Sequence, residues 1–178
     1  MATNPTNRRA NQAVYLDGGV ISSAPAGVTS LLVSGQLGSV FIKDGIAYQL
    51  VKNSSTTACV ANEPVMWSDF DDFTVTPVVS EAKRNYPAGI CIGALATLTY
   101  GWIQVDGPVA AAIQDGLSTV AGDVLVMSAT DGQLTKITAG TAPTYIPFAE
   151  ATASATVTSS TLAAGTVACN VVVPHNSW

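Results

Sequence analysis

The sequence predicts an all-β fold, a compact sandwich or barrel of short antiparallel strands with a flexible N-terminal arm. Three observations carry this. Stretches of β-formers flank tight-turn dipeptides, Gly and Pro punctuate the chain at roughly ten-residue intervals, and the 3.6-residue periodicity of amphipathic helices is hard to find.

The elements follow in order. Residues 1–12 (MATNPTNRRANQ) are polar and hold no apolar pattern, so they are expected to form a flexible arm. They also lack the apolar core of a secretion signal, which points to synthesis in a cytoplasm. Residues 13–178 form the β-rich domain, a length that buries about 70 % of the unfolded surface without disulfides or metals. The firmest local element is Ser39–Lys43, Asp44-Gly45, Ile46–Val51. Asp-Gly between β-formers supplies the two positive φ values of a type I′ hairpin.

The segment 53–85 differs from its surroundings. It carries Trp67-Ser-Asp-Phe-Asp-Asp-Phe73 and the charged run Glu81-Ala-Lys-Arg84, and reads as an insertion or long loop. The uncharged stretch Pro87–Val105 is interrupted by Gly89, Gly93, Thr97, Thr99, Gly101 and Gln104, which argues for strands over a membrane-spanning helix. Two strands are expected there, Cys91–Leu98 and Gly101–Val105, the second ended by Asp106-Gly107-Pro108. Turns follow at Asp115-Gly116 and Ala121–Asp123. A second hairpin is expected where Asp123–Met127 and Gln133–Ile137 flank Ala129–Gly132. The stretch Ala149–Ala164 is of low complexity, though Val157 and Leu162 leave room for a strand. Thr166–Val173 is apolar enough to be central in a sheet, and Pro174 stops it.

Charged residues make up 11 % of the chain, against about 25 % in a typical soluble domain. Twenty Thr, fifteen Ser and fifteen Gly take their place. A surface so sparse in charge suits a protein partly covered in an assembly. The net charge is −5, and the basic cluster near the start is Arg8-Arg9. Nucleic acid is therefore not an expected partner, since phosphate binding needs several cations on one face. Nor is a membrane.

Few residues offer chemistry. His175, the single histidine, lies three residues from the C-terminus, where a rigid catalytic setting is seldom available. Cys59, Cys91 and Cys169 form no close pair and read as small buried hydrophobes. Asp69, Asp71 and Asp72 are the one dense carboxylate set that a hard cation could use. The full calcium loop is absent, and carboxylates between Trp67, Phe70 and Phe73 read more readily as a solvated turn above tucked rings. Asp17, Asp44, Asp106, Asp115 and Asp131 each precede Gly, where Asp has a structural reason to stand. No catalytic residue, cofactor or metal is assigned, and the chain reads as a non-enzyme.

One pattern of motifs carries a family resemblance: Tyr86-Pro-Ala-Gly-Ile-Cys-Ile-Gly93, Gly101-Trp-Ile-Gln-Val-Asp-Gly-Pro108, Asp115-Gly116, Ala121-Gly-Asp-Val-Leu125 and Thr130-Asp-Gly-Gln-Leu134. Over residues 86–173 this order resembles the capsid decoration, or cement, proteins of tailed bacteriophages. The resemblance implies a β-rich domain, commonly a homotrimer, on the outer surface of an icosahedral head, clamping adjacent major capsid subunits. Residues 1–85 match no pattern of that family. The candidate capsid contacts are Arg8 and Arg9 on the arm and Trp67. The alternative is a carbohydrate- or receptor-binding β-sandwich of a fibre or adhesin, with Trp67, Trp102 or Trp178 stacking on sugars.

Overall fold

The computed structural model of the chain describes residues 37–83, 86–138, 146–156 and 165–173. The all-β class is as expected. Among the described residues twelve strands follow in order: β1 (Val40–Lys43), β2 (Ile46–Asn53), β3 (Pro64–Asp69), β4 (Thr74–Thr76), β5 (Pro87–Cys91), β6 (Tyr100–Ala112), β7 (Ser118–Thr119), β8 (Val124–Met127), β9 (Leu134–Lys136), β10 (Pro147–Ala151), β11 (Ala155–Thr156) and β12 (Thr166–Val172). One short 3-10 turn, Val79–Glu81, is the helical element among the described residues.

The first hairpin forms as its sequence dictates. Lys43 pairs with Ile46, and Asp44 and Gly45 take φ of 52° and 79°, which is the type I′ requirement. The second joins β8 to β9 with Met127 opposite Leu134. Segment 53–85 departs from the expected insertion or loop, because it supplies β3 and β4 to the main sheet. The strand expected over Cys91–Leu98 instead occupies Pro87–Cys91 and stops there. Beyond it Leu95 makes one bridge to Cys59, and Leu98 has φ of 58°.

Asp106-Gly107-Pro108 also departs from expectation. It does not end a strand but lies inside the thirteen-residue β6. Gly107 has φ of 95°, and the pairing of β2 with β6 shifts register at Ala47/Tyr48, opposite this point. The left-handed glycine therefore bends a continuing strand.

That bend divides the molecule. Strands β2, β4, β3, β5 and the first half of β6 pair in turn, and β6 pairs back to β2, closing a five-strand barrel. An odd ring cannot alternate direction all the way round. One parallel pair is forced, and it is β2 with β4, where only antiparallel pairing was expected. The second half of β6 then pairs with β12, followed by β10, β8 and β9. The parallel bridge Ile113 to Leu134 brings β9 back to the end of β6, where the Gln114 N–H donates to the Leu134 carbonyl at 2.8 Å.

The second ring repeats the first. Starts of corresponding strands lie sixty residues apart: Pro64 and Val124, Thr74 and Leu134, Pro87 and Pro147. The bridge Cys59–Leu95 recurs as the β7–β11 pair Thr119–Ala155. The turn before the second strand recurs atom by atom. The Val60 N–H donates to Glu63 Oε2 at 2.7 Å, and the Val120 N–H donates to Asp123 Oδ2 at 3.0 Å. Asn62 and Gly122 follow with φ of 67° and 92°. The chain is an internal duplication in which β6 is the last strand of one ring and the first of the next.

Both rings fill their interiors with apolar side chains, among them Val51, Val65, Ile90 and Ile103 in the first and Leu125, Met127, Leu134 and Phe148 in the second. Full burial of each such large side chain contributes about 1.5–3 kcal/mol. Cys59, Cys91 and Cys169 are free and buried, as small hydrophobes would be. Burial pushes the Cys169 thiol up to about 12, so it stays protonated and unreactive.

Candidate functional site

Trp67 sits on β3 and is 7 % exposed, tucked beneath the turn as its aromatic and carboxylate neighbours predict, and so it is not an exposed ring of the kind that a capsid contact or a sugar platform needs. Phe70 and Phe73, from the turn that follows, lie 5.5 and 6.3 Å from it between ring centroids, and Tyr86 closes on Phe70 at 5.5 Å. The turn folds its aromatics inward because each ring removes a large apolar area from water. Trp102, on β6, is likewise buried. Arg8, Arg9, His175 and Trp178 lie outside the described residues, as does the arm 1–12.

The carboxylates above the aromatic cluster are engaged locally. Asp69 is ion-paired with Lys83, whose hydrogen bond holds its carboxyl below the usual carboxylate range. Its Oδ1 also accepts the Asp71 N–H at 3.1 Å. Asp71 and Asp72 are exposed. Among the described residues no three His, Cys, Asp or Glu side chains are grouped to hold a metal ion. No described helix is long and apolar enough to cross a membrane.

Two other features stand out in the second ring. The first is an open sheet face. On β12 burial alternates strictly, with Val167, Cys169 and Val171 inside and Ala168, Asn170 and Val172 outside. On β6 the exposed positions are Asp106, Pro108 and Ala110. The register sets Ala110 beside Ala168 and Pro108 beside Asn170, then Asn170 beside Glu150 and Glu150 beside Val124. The result is a surface of small, mostly neutral side chains that also carries two carboxylates, Glu150 between Asn170 and Val124 and Asp106 beside Val172. Its outward half was hidden in the sequence, since an apolar Thr166–Val173 reads as a strand buried on both sides. The period-two split between Val/Cys/Val and Ala/Asn/Val was the signal that could have found it.

The second feature is the junction between rings. The turn between β8 and β9 rests on the first ring, where Asp131 Oδ1 accepts the Val79 N–H at 2.8 Å and the Gly132 N–H donates to the Pro77 carbonyl at 3.0 Å. Glu63 packs so closely that a Cβ on Gly132 would stand 1.9 Å from its Oε1. Burial, opposed by the Val60 amide and reinforced by Asp131, pushes the Glu63 carboxyl up to about 7. Nothing in the composition marks Glu63 as different from any surface glutamate. Only its place under the second ring does so.

No family model matches the chain, and no curated protein matches it. Among solved structures it is similar to the crystal structure of the head fiber gp8.5 N base of bacteriophage phi29, with TM-score 0.46 and 14 % sequence identity, covering 70 % of this chain and 93 % of that one. A likeness so loose carries no argument about what this chain does.

Proposed function

We propose that this chain is a non-enzymatic structural protein of a tailed-phage virion, a decoration protein that binds adjacent major capsid subunits on the outer surface of an icosahedral head as a homotrimer. The observation that carries the reading is the open face of Pro108, Ala110, Ala168, Asn170 and Val172. Its side chains are small and neutral, with the carboxylates of Asp106 and Glu150 beside Val172 and Asn170, on a chain with 11 % charged residues, and such a face is suited to being covered. The motif order over residues 86–173 supports the same reading. Arg8 and Arg9 would add a cationic contact to carboxylates on the shell. Many modest contacts on a shell with repeated sites sum to firm retention.

The alternative, a sugar-binding module, asks for exposed aromatic platforms, and burial of Trp67 and Trp102 removes two of its three candidates.

Assembled heads purified with and without the chain test the proposal. The protein should copurify in fixed stoichiometry, and Ala168→Arg should lower its occupancy while leaving its circular dichroism unchanged. Heads that never retain the intact chain would sink the proposal, as would undiminished occupancy by Ala168→Arg together with Ala110→Arg.

A further inference from the structure

We propose that Cys59 and Cys91 are an oxidisable thiol pair, which closes into a disulfide and staples the first ring when the chain meets a low-molecular-weight disulfide such as oxidised glutathione. The inference does not depend on shell binding. Two observations carry it: the way the backbone brings the two thiols together, and what the second ring holds in their place.

Cys59 stands just before the turn that leads into β3, and Cys91 ends β5. Two sets of backbone bonds draw them together. Cys59 and Leu95 each donate an N–H to the other's carbonyl at 2.9 Å. Just beyond, the Asn62 N–H donates to the Cys91 carbonyl at 2.8 Å, and the Cys91 N–H donates to the Glu63 carbonyl at 2.9 Å. The turn between these rungs is closed by the Val60 carbonyl, which accepts the Glu63 N–H at 3.3 Å. Both side chains belong to the buried core, each 1 % exposed, and their thiols share a hydrogen bond. The structure holds the pair reduced. The third thiol, Cys169, sits on β12 in the other ring.

The duplication supplies an internal comparison. Thr119 and Ala151 take the same two places in the second ring, and both are buried. The bonds recur as well: the Gly122 N–H donates to the Ala151 carbonyl at 2.8 Å, and the Ala151 N–H to the Asp123 carbonyl at 2.9 Å. A hydroxyl and a methyl group therefore fill this site, so the fold itself does not ask for two sulfurs. Where the topology leaves the choice open, the first ring carries two groups able to bond covalently to each other.

The exchange balances in two steps. One thiol loses its proton and attacks a sulfur of the oxidant, leaving a mixed disulfide and releasing one glutathione thiol. The other thiol then loses its proton and attacks the bound cysteine sulfur, so that the Cys59–Cys91 bond forms and the second glutathione leaves. The cysteine pair gives up two electrons, and the oxidant's disulfide becomes two thiols that take the two protons. The attacking species is a thiolate, and the hydrogen bond shared with Cys59, together with burial, pushes the Cys91 thiol well above its ordinary value. Exchange in the folded chain is therefore slow. It proceeds while the first ring is open, and refolding then shields the new bond from reductants. Residues 59–91 include β3, β4 and β5, so the bond closes a loop over three strands of the first ring and restricts the unfolded chain.

The test uses the full chain. It is held in urea near its unfolding midpoint with oxidised glutathione, or with reduced glutathione in a parallel sample, returned to buffer, and its remaining thiols are blocked with iodoacetamide in denaturant. The oxidised sample should keep one blockable thiol of the three, and its peptide map should join Cys59 to Cys91. It should melt about 5–10 °C above the reduced sample. Cys91→Ala, which gives the first ring the residue that the second ring already holds, should show no such rise. Three thiols that stay blockable or end capped by glutathione overturn the pair, as does a map that joins either cysteine to Cys169 or to a second chain. A linked chain that melts no higher than the reduced one overturns the staple, and so does a rise that persists in Cys91→Ala.

Discussion

The two rings share a topology and differ in what surrounds them. In the first, every residue of β5 is buried, as are five consecutive residues of β6, Gly101–Val105. In the second, β12 alternates and the continuing half of β6 exposes Asp106, Pro108 and Ala110. Path and exposure are thus set by different things. Turn geometry and apolar alternation specify the ring, and they recur with little shared sequence. Burial of the outer face depends on what lies against it, and this separates a ring that serves as scaffold from one that offers a surface. The distinction can be probed by disturbing one ring and watching the other.

The largest effect is expected from Phe148→Ala in the second ring. Phe148 is 1 % exposed on β10 where β5 has Ala88, and removing a buried aromatic costs about 3–5 kcal/mol. β6 is hydrogen-bonded into both rings, so they should unfold together. In urea, the fluorescence of Trp67 and Trp102, both in the first ring, should lose its midpoint in step with far-ultraviolet circular dichroism. A fluorescence midpoint that stays in place while the dichroism transition moves would show that the rings unfold separately.

A smaller effect isolates the junction. Gly116 and Gly132 both have positive φ, 70° and 64°, but a Cβ on Gly116 meets nothing within 4 Å, whereas on Gly132 it meets Glu63. Gly116→Ala should cost about 1 kcal/mol for the backbone alone. Gly132→Ala adds a collision with a buried carboxyl and should cost about 2–4 kcal/mol. Denaturant titrations of the two variants measure the difference. Equal losses would mean that the turn does not bear on Glu63 in solution.

Hairpins were legible in the sequence because their geometry is encoded within four residues. Asp44-Gly45 and the Ala129–Gly132 connection needed no distant partner to be recognised. The duplication was not legible. Val60/Val120, Ala61/Ala121, Ser68/Ser128, Asp71/Asp131 and Pro87/Pro147 are identical, but most positions between them are not. What recurs is a role, such as a carboxylate accepting the amide three residues back or a residue tolerating positive φ, and Glu63 with Asn62 fills it as well as Asp123 with Gly122. The same locality misled at Asp106-Gly107-Pro108, whose turn signature is used to bend a strand. The tucking of Trp67, Phe70 and Phe73 beneath a solvated turn was legible in the alternation of rings and carboxylates, whereas the closing contact from Tyr86 needed the fold. The open face escaped because exposure of Ala168 and Val172 is a property of the assembled sheet.

The finest comparison sets Glu63 against Asp123, two carboxylates with the same backbone partner and different cover. Burial holds the Glu63 carboxyl at about 7, and in the unfolded chain it returns to its ordinary value near 4.5. Between those values the folded state binds more protons than the unfolded one, so stability falls as pH rises through this window. The loss is complete above the folded value. A Glu63→Gln variant keeps an oxygen for the Val60 amide and cannot ionise. It should match the intact chain near pH 4.5 and exceed it by about 1–3 kcal/mol at pH 8, at the usual 1.36 kcal/mol per pKa unit. Asp123→Asn removes a partly exposed charge whose ion pair with Lys136 is worth about 0–1 kcal/mol, so it should change stability little. Thermal melts of both variants from pH 4.5 to 8 decide the matter. A Glu63→Gln curve parallel to that of the intact chain would mean that water reaches Glu63, and that the rings meet less closely than their hydrogen bonds imply.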